Sequence, residues 1–438
     1  MKKLRFSVII ICLSLLVTSL GLPALAAPAA VAPTLSSAQS ALVGDMDSGR
    51  ILYGVDADSR REPASLTKMM TLLIAVEAVE AGDVSLDDMV TASANCKSGM
   101  SEDSSTSGIH YGETMSLRDL MYCTALASAN EACNIIAEYL SGTIDAFVQR
   151  MNGRAAELGC SGTHFVNTHG MPDPDHYTTA RDLFVIAREG MSHELFATLV
   201  GTSEYTTAPT NTSDGRDLVN SNALLSSKSP YGDYAYDGAR GIKTGHTSAA
   251  GYCLVAAAKR GDVSLITVVL GANGGSDYED FDNFRDTVKL LDWAFESYTR
   301  CVIAEKGSAV ATQPIDIDGR KGELTLVCAQ DVTALLPAGV DAAGLTKKVT
   351  LTSELLTELP AEGTELGVVS FPDPADGTDY GSATLLAGTD VQFDDATDEG
   401  GAQGLRSQQK IAIVIVCAIV VLLILLFLLR LTRSFKAH

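Results

Sequence analysis

Residues 62–79 read EPASLTKMMTLLIAVEAV, a long apolar run with a serine and a lysine three residues apart at its start. Pro63 is typical of a helix N-terminus, and residues three apart lie on one face of a helix. The pattern therefore predicts a buried helix with Ser65 and Lys68 side by side at its entrance.

The residue types at this helix entrance suit nucleophilic catalysis. A serine hydroxyl is a weak nucleophile unless an adjacent base takes its proton. A lysine in an apolar, cation-rich site can lose its charge near neutral pH and become that base. The helix N-terminus adds N–H groups that can hold a developing oxyanion. The same spacing also fits an N-cap serine followed by a solvated lysine, so the interpretation depends on partners elsewhere in the chain.

Two further triplets supply such partners. Ser128-Ala129-Asn130 lies within LASANEACN, in or beside a helical stretch, and Lys243-Thr244-Gly245 lies at the end of a predicted strand. Either triplet alone has a structural explanation, as a helix cap or as an edge strand that ends in a turn. Together, SxxK, SxN and KTG in this order are the motif set of penicillin-binding proteins and related β-lactamases.

A wider resemblance surrounds the three triplets. It is carried by GDMDSGRILYGVDADSRREPASLTKMMT, SANEACNIIAEYLSGT, RMNGRAAELGCSGTHFVNTHGMPDPDHYTTARDL and GIKTGHTSAAGYCLVAAAKR. These stretches resemble the serine-type D-alanyl-D-alanine carboxypeptidases, the low-molecular-mass penicillin-binding proteins of peptidase family S11. The resemblance extends from about Ala38 to Tyr298, and it implies an enzyme that needs no cofactor or metal.

The resemblance assigns a role to each matching residue. Ser65, Lys68 and Ser128 would be catalytic, as the nucleophile, its general base and a proton relay to the leaving amine. Substrate would be bound by Asn130, Lys243, Thr244, Gly245 and His246. The backbone amides of Ser65 and His246 would form the oxyanion hole. His169 and Gly170, in a strongly family-like segment, are expected to have a structural role.

The periodicity along the chain predicts an α+β fold. An early hairpin, a mainly helical region and late strands after Ala239 can build one antiparallel sheet with a helical lobe. With the resemblance, this gives a β-lactamase/transpeptidase-like catalytic domain over residues 38–300. Short strand-like pieces with Gly, Pro and Asp turns predict a small β domain over 301–393, and 394–410 reads as an acidic, glycine-rich linker.

The two ends of the chain predict export and a membrane anchor. Residues 1–26 have a basic n-region, an apolar run and a small-residue cleavage site, which predict a signal peptide; an uncleaved anchor is the alternative. Residues 27–37 read as a flexible segment. Residues 411–429 are nineteen apolar residues without a charge, long enough at about 28 Å to cross a bilayer. The basic residues of 430–438 would form a cytoplasmic tail.

These end segments place the catalytic body outside the cell, held at the cell membrane by one C-terminal transmembrane helix. A buried helix of a soluble domain is the alternative for 411–429, although it would need a polar face that this segment lacks. A net charge of −22 makes nucleic acid a poor partner. The expected partners are a peptidoglycan stem peptide ending in D-Ala-D-Ala, β-lactam antibiotics and the membrane.

Other functions compete with that of a D,D-carboxypeptidase inhibited covalently by β-lactams. A serine β-lactamase would need a loop glutamate in an ExxLN motif, and none lies between Asn130 and Lys243. A zinc peptidase is disfavoured because the histidines show no HExxH spacing. A D,D-endopeptidase or transpeptidase, and a catalytically silent penicillin-binding wall protein, remain as alternatives. The cysteines at 96, 123, 133, 160, 253, 301 and 328 are scattered, and no disulfide is predicted among them.

Overall fold

A computed structural model describes residues 31–274, 280–372, 377 and 379–394 of the chain. The chain divides into two compact units. Among the described residues, the first takes in the chain from 31 to 305 together with Asp331–Lys348 and Ser370–Ser382. The second consists of Lys306–Gln330, Val349–Val369 and residues 383–394. The domain boundaries predicted from the sequence stay predictions.

The secondary structure combines an antiparallel sheet with a group of helices, so the α+β arrangement is as expected. The strands are β1 Ser40–Asp45, β2 Ile51–Val55, β3 Met89–Thr91, β4 Thr114–Ser116, β5 Glu204–Thr206, β6 Asp217–Val219, β7 Ala239–Thr247, β8 Gly251–Arg260, β9 Val263–Ala272, β10 Tyr298–Ala304, β11 Ala309–Ile317, β12 Arg320–Cys328, β13 Val332–Pro337, β14 Lys348–Leu351, β15 Glu365–Pro372 and β16 Asp379–Phe393. The helices are α1 Lys68–Glu80, α2 Leu117–Ala125, α3 Asn130–Ser141, α4 Ile144–Glu157, α5 Ala180–Ser192, α6 Glu194–Gly201 and α7 Asp282–Ser297.

The main sheet of the first unit has the order β2-β1-β9-β8-β7 and is antiparallel throughout. Successive strand residues point to opposite faces. Leu42, Val255 and Val268 therefore pack in the core with helix α1, whereas Val43 and Leu265 pack against α7 on the other face. Strand β7 lies at the end of this order, so one of its edges is available to the site described below.

Helix α1 is the centre of the helical lobe. Ten of its thirteen residues are buried, and the three that are not, Glu77, Val79 and Glu80, lie at its C-terminal end. The neighbouring helices begin where the sequence provides an N-cap. Ser116, Thr143 and Thr179 each accept a hydrogen bond from a first-turn backbone amide of α2, α4 and α5, respectively.

Strands outside the main sheet form three two-stranded sheets and a second five-stranded sheet among the described residues. In the first unit, β3 pairs with β4, β5 with β6, and β10 with β13. A second five-stranded sheet has the order β11-β12-β16-β15-β14. In β12, Leu324, Leu326 and Cys328 are buried, whereas Glu323 is exposed. This alternation is typical of a sheet with one face on a core.

The predicted transmembrane element requires a correction. No helix among the residues that the structure describes is long and apolar enough to cross a membrane. The longest of these helices, α7, has 16 residues and carries charges, whereas a span needs about 20 apolar residues. The predicted helix at 411–429 lies outside the described residues, as does the signal peptide at 1–26. The predicted fold class therefore loses its C-terminal transmembrane helix. The predicted localisation and membrane contact depended on that helix and are withdrawn with it.

Candidate active site

Ser65 and Lys68 meet at the start of α1, as their spacing predicted. Ser65 lies in a short 3-10 turn, Ala64–Thr67, and Lys68 is the first residue of the helix. The Nζ atom of Lys68 is 2.7 Å from Oγ of Ser65 and 2.8 Å from the carbonyl oxygen of His169. The predicted nucleophile and its predicted base are therefore in direct hydrogen-bond contact.

The environment of Lys68 favours the neutral amine. Its side chain is fully buried and makes no ion pair among the described residues. Burial lowers the pKa of Lys68 from 10.5 to about 8, because the charged ammonium loses its hydration. A lysine with this pKa has a substantial neutral fraction close to physiological pH, as a general base requires.

Ser128 and Asn130 lie at the start of α3. Ser128 has a left-handed backbone conformation with φ +57°, and its buried hydroxyl has no hydrogen-bond partner in the described part of the chain. Asn130 is the first residue of α3, and its backbone amide donates to the carbonyl of Ser105 at 2.9 Å. The described residues therefore leave the Ser128 hydroxyl without a hydrogen-bond partner, and no hydrogen bond joins it to Lys68.

A buried cysteine lies one turn further along α3. Burial raises the pKa of the Cys133 thiol to about 11, so the thiol is neutral at physiological pH. No disulfide joins any two cysteines among the described residues.

The third triplet lies on edge strand β7, against the turn that carries Ser65. Gly245 passes so close to this turn that a Cβ atom there would lie 3.2 Å from the backbone nitrogen of Ser65 and 3.2 Å from the carbonyl oxygen of Pro63. The absence of a side chain at residue 245 therefore permits the close approach.

Lys243 adds a second buried amine to this region. Its side chain is 1% exposed, and Nζ donates to the carbonyl of Thr244 at 3.2 Å. Burial lowers the pKa of Lys243 to about 7, and the like charge of Lys68 contributes to the same shift. Two lysines that repel each other at a buried site titrate as a pair, so we expect the pair to give up a proton near neutral pH.

His246 follows the triplet and has an exposed position. Its ring stacks on Tyr252 with a centroid separation of 4.1 Å, and partial burial lowers the pKa of the imidazole. The side chain is therefore committed to packing against Tyr252, which is compatible with the backbone role expected for His246.

Two features of the site were not predicted from the sequence. Oγ of Ser221 lies 2.6 Å from Oγ1 of Thr244, which extends the polar surface beside the third triplet. His169 accepts the hydrogen bond from Lys68 through its backbone carbonyl. Its ring stays neutral, because burial lowers the pKa of the imidazole to about 3. Ser221 has no motif signal, because it lies in an irregular loop. His169 lies in a family-like segment and was expected to have a structural role, but the sequence does not show that its carbonyl binds Lys68, because a carbonyl is independent of residue type.

One group of side chains could be mistaken for a metal centre. Ligand atoms of Glu77, Glu189 and His193 lie within 4.8 Å of one another. Arg154, however, already pairs with both carboxylates, and Glu77 is roughly 14 Å along α1 from Lys68 at the usual helical rise. We therefore interpret the group as an ion-pair cluster remote from Ser65.

Comparison with known proteins identifies the chain. The family model described as D-alanyl-D-alanine carboxypeptidase matches residues 27–274, which include all three triplets. DacF of Bacillus subtilis is 31% identical over 332 residues, covering 76% of this chain and 80% of DacF. The chain belongs to the D-alanyl-D-alanine carboxypeptidase family. DacC of Escherichia coli is likewise 31% identical to this carboxypeptidase, over 76% of the chain and 80% of DacC.

Solved structures agree with this assignment. Penicillin binding protein 5 of Haemophilus influenzae matches the carboxypeptidase with a TM-score of 0.67 and 29% identity, over 83% of this chain and 99% of that one. DacD of Francisella tularensis matches with a TM-score of 0.64 and 26% identity, over 86% and 98%. The prediction of a D-alanyl-D-alanine carboxypeptidase, a hydrolase, is confirmed.

Proposed function

We propose that this carboxypeptidase removes the terminal D-Ala from peptidoglycan stem pentapeptides through an acyl-enzyme on Ser65. One observation carries the proposal: the buried amine of Lys68 lies 2.7 Å from the Ser65 hydroxyl. This contact supplies a nucleophile and a base in one place, and the lowered pKa of Lys68 makes the amine available as base.

Acylation begins with attack of Oγ of Ser65 on the carbonyl carbon between the two terminal D-alanines. The Ser65 proton passes to Nζ of Lys68 as the new C–O bond forms. When the tetrahedral intermediate collapses, its C–N bond breaks, and the leaving amine of D-Ala receives the proton through the Ser128 hydroxyl. The products of this step are free D-Ala and an ester on Ser65.

The intermediate and the substrate need further contacts. The backbone amides of Ser65 and His246 are the proposed oxyanion hole, supported by the close passage of Gly245 along the Ser65 turn. Asn130 is proposed to hold the substrate amide, and Thr244 the terminal carboxylate, with positive potential from Lys243. Hydrolysis of the ester by water, with Lys68 again as base, releases the shortened peptide and restores Ser65.

A β-lactam follows the same first step with a different outcome. Ser65 opens the ring, but the amine remains attached to the acyl group and cannot diffuse away as D-Ala does. We therefore propose that penicillins acylate Ser65 and are released slowly. The name of the Haemophilus influenzae relative, a penicillin binding protein, supports this proposal.

The test compares wild type with Ser65→Ala, using D-Ala release from a diacylated L-Lys-D-Ala-D-Ala peptide and labelling by a fluorescent penicillin. Both signals should vanish in the variant. Ser59→Ala is a matched control, because the structure gives its hydroxyl no hydrogen bond among the described residues, and it should retain both. Labelling of Ser65→Ala would refute the nucleophile assignment. Labelling of wild type without D-Ala release would point to a penicillin-binding protein without turnover.

Transpeptidation is a second candidate function. A single-residue mutant of the D,D-transpeptidase of Streptomyces K15 is 31% identical to this chain over 60% of it and 99% of the transpeptidase, with a TM-score of 0.54. An amine in place of water would then accept the acyl group. Adding glycylglycine and measuring the ratio of peptide product to hydrolysis product distinguishes the two, and a ratio near zero would exclude transpeptidation to this acceptor.

A further inference from the structure

A segment of the loop between β3 and β4, residues 105–109, lies on the first turn of α3. The carboxylate of Glu131, the second residue of α3, holds this segment through one oxygen. Oε1 accepts hydrogen bonds from Oγ1 of Thr106 (2.7 Å) and from the backbone amides of Ser107 (2.8 Å) and Ile109 (3.2 Å). With the bond from the Asn130 amide to the Ser105 carbonyl, two consecutive residues of α3 fasten the whole segment.

The carbonyl groups of the same segment are held by Arg216. Its guanidinium donates to the carbonyl oxygens of Ser107 at 2.6 Å and Gly108 at 3.3 Å. It also donates to both carboxylate oxygens of Glu113, at 2.8 and 2.9 Å, and the Glu113 side chain is 1% exposed. Segment 105–109 therefore lies between an anion that binds its N–H groups and a cation that binds its carbonyl groups.

The contacts of segment 105–109 with Asn130 and Glu131 hold the backbone next to the second triplet. Ser128 has a left-handed conformation that is unfavourable for a residue with a Cβ, and such conformations persist only where the surroundings hold them. The Ser128 hydroxyl has no partner among the described residues that would fix its direction. The direction of this hydroxyl therefore depends on how firmly the start of α3 is held.

We infer that Glu131 is a positioning residue for the carboxypeptidase reaction: its buried carboxylate fastens segment 105–109 to the start of α3 and thereby fixes Ser128 and Asn130. This inference rests on the roles proposed above for these two residues. Glu131 itself touches neither the substrate nor the reacting atoms.

Removing the charge of Glu131 should change the pKa of Lys68, whereas a loss of packing alone should not. Burial is the main cause that lowers the pKa of Lys68, and Cys133 and then Glu131 oppose it. The ionisable groups that act on Lys68, or on which it acts, are Lys243 on β7, Cys133 and Glu131 on α3, and His169 in the loop after α4. Because the thiol of Cys133 and the ring of His169 are neutral at pH 7, Glu131 is the anion in this set.

The experiment uses three variants of the purified protein. Glu131→Gln keeps the shape and one acceptor oxygen but removes the charge. Thr106→Val removes one donor to Glu131 and leaves the charge. Glu138→Gln is the matched control, because Glu138 lies on the same helix and accepts from Ser93 and Asn95 outside segment 105–109. The measurements are the penicillin acylation rate, kcat and KM for D-Ala release between about pH 6 and 10, and the melting temperature.

We expect Glu131→Gln to acylate about tenfold or more slowly at its optimum pH, because a small displacement of catalytic groups has a large effect on rate. The acid limb of its pH profile should move to lower pH, since the pKa of Lys68 falls when a nearby anion is removed. Thr106→Val should show a smaller loss without a shift of the limb. Glu138→Gln should behave like wild type.

Wild-type rates and an unshifted pH profile in folded Glu131→Gln would overturn the inference, as would the same changes in Glu138→Gln. If Glu131→Gln does not fold, Thr106→Val decides, and an unchanged acylation rate there counts against the inference. Failure of the proposed function gives a different result, because wild type would then not be acylated at all or Ser65→Ala would still be labelled.

Discussion

Gly170 approaches Ala64 so closely that a Cβ atom on residue 170 would lie 1.8 Å from the Ala64 carbonyl oxygen. Ala64 precedes Ser65, the proposed nucleophile, and Gly170 follows His169, whose carbonyl accepts a hydrogen bond from Lys68. The contact therefore joins the turn of the proposed nucleophile to the loop that holds the proposed base.

Gly170→Ala should separate this turn and this loop. We expect a loss of about 2–3 kcal/mol in the free energy of unfolding, from the clash and from φ +92°, and a fall in penicillin acylation of about a hundredfold. Gly159→Ala is the matched control, since Gly159 also has positive φ, +77°, but open space around its Cβ position. Urea unfolding and acylation kinetics measure both effects. Equal losses in the two variants would show that backbone strain alone is responsible.

Lys68→Met should stop acylation while the protein stays folded. Folding lowers the pKa of Lys68 from 10.5 to about 8, so below pH 8 the folded state carries a buried ammonium that opposes folding. This destabilisation disappears as the pH rises from about 8 toward 10.5, because the unfolded state binds more protons there. Relative to Lys68→Met, wild type should therefore gain stability across this window. Urea unfolding of both proteins at pH 7 and pH 10 tests this. If the difference in free energy of unfolding between wild type and Lys68→Met is the same at both pH values, the pKa of Lys68 is not lowered.

Lys243→Gln should move the acid limb of the acylation rate to higher pH. The like charge of Lys68 helps to lower the pKa of Lys243, so the pair of buried amines loses its first proton near pH 7. In the variant Lys68 titrates alone, with a pKa of about 8, and the neutral amine forms at a higher pH. The wild-type limb is expected between about pH 7 and 8. Rates of labelling by fluorescent penicillin across pH measure it. Lys228→Gln, which removes an exposed lysine, should leave the limb in place, and a limb that moves down in Lys243→Gln would refute the coupling.

Ser221→Ala should weaken binding of substrates with a free terminal carboxylate. Its hydroxyl lies 2.6 Å from that of Thr244, so without it Thr244 loses the partner that orients it. We expect KM for a peptide ending in D-Ala-D-Ala to rise about fivefold, with kcat nearly unchanged. Ser221→Thr should restore KM, and Ser227→Ala, at an exposed position, should not change it. A fall in kcat with constant KM would instead place Ser221 in the chemical step.

The sequence predicted those parts of the site that depend on local spacing. Ser65 and Lys68 meet because three residues make about one helical turn, and Gly245 could be placed because edge strands and turns have strong local signals. Ser221, Gly170 and the carbonyl of His169 could not be predicted in these roles. Their contacts join loops that are distant in sequence, and such contacts depend on tertiary packing. Residues 105–109 likewise show no sign in the sequence of the two charged side chains, Glu131 and Arg216, that hold them.

The prediction that failed, a membrane-spanning helix in the fold, rested on hydropathy alone. Hydropathy shows that a segment is apolar. It does not show whether the folded protein contains a helix that is long and apolar enough to cross a membrane, and no helix among the described residues is. The α+β prediction succeeded because the change from helical to alternating periodicity after Ala239 is a signal in the sequence itself.

The burial of α1 has a consequence for how the enzyme loses activity. Ser65 and Lys68 are attached to a helix with ten buried residues of thirteen, so no local opening of a surface element can release them. The amide hydrogens of α1 should therefore exchange with solvent only through global unfolding. Loss of activity and global unfolding should therefore coincide, and a treatment that unfolds half of the molecules should also remove half of the activity.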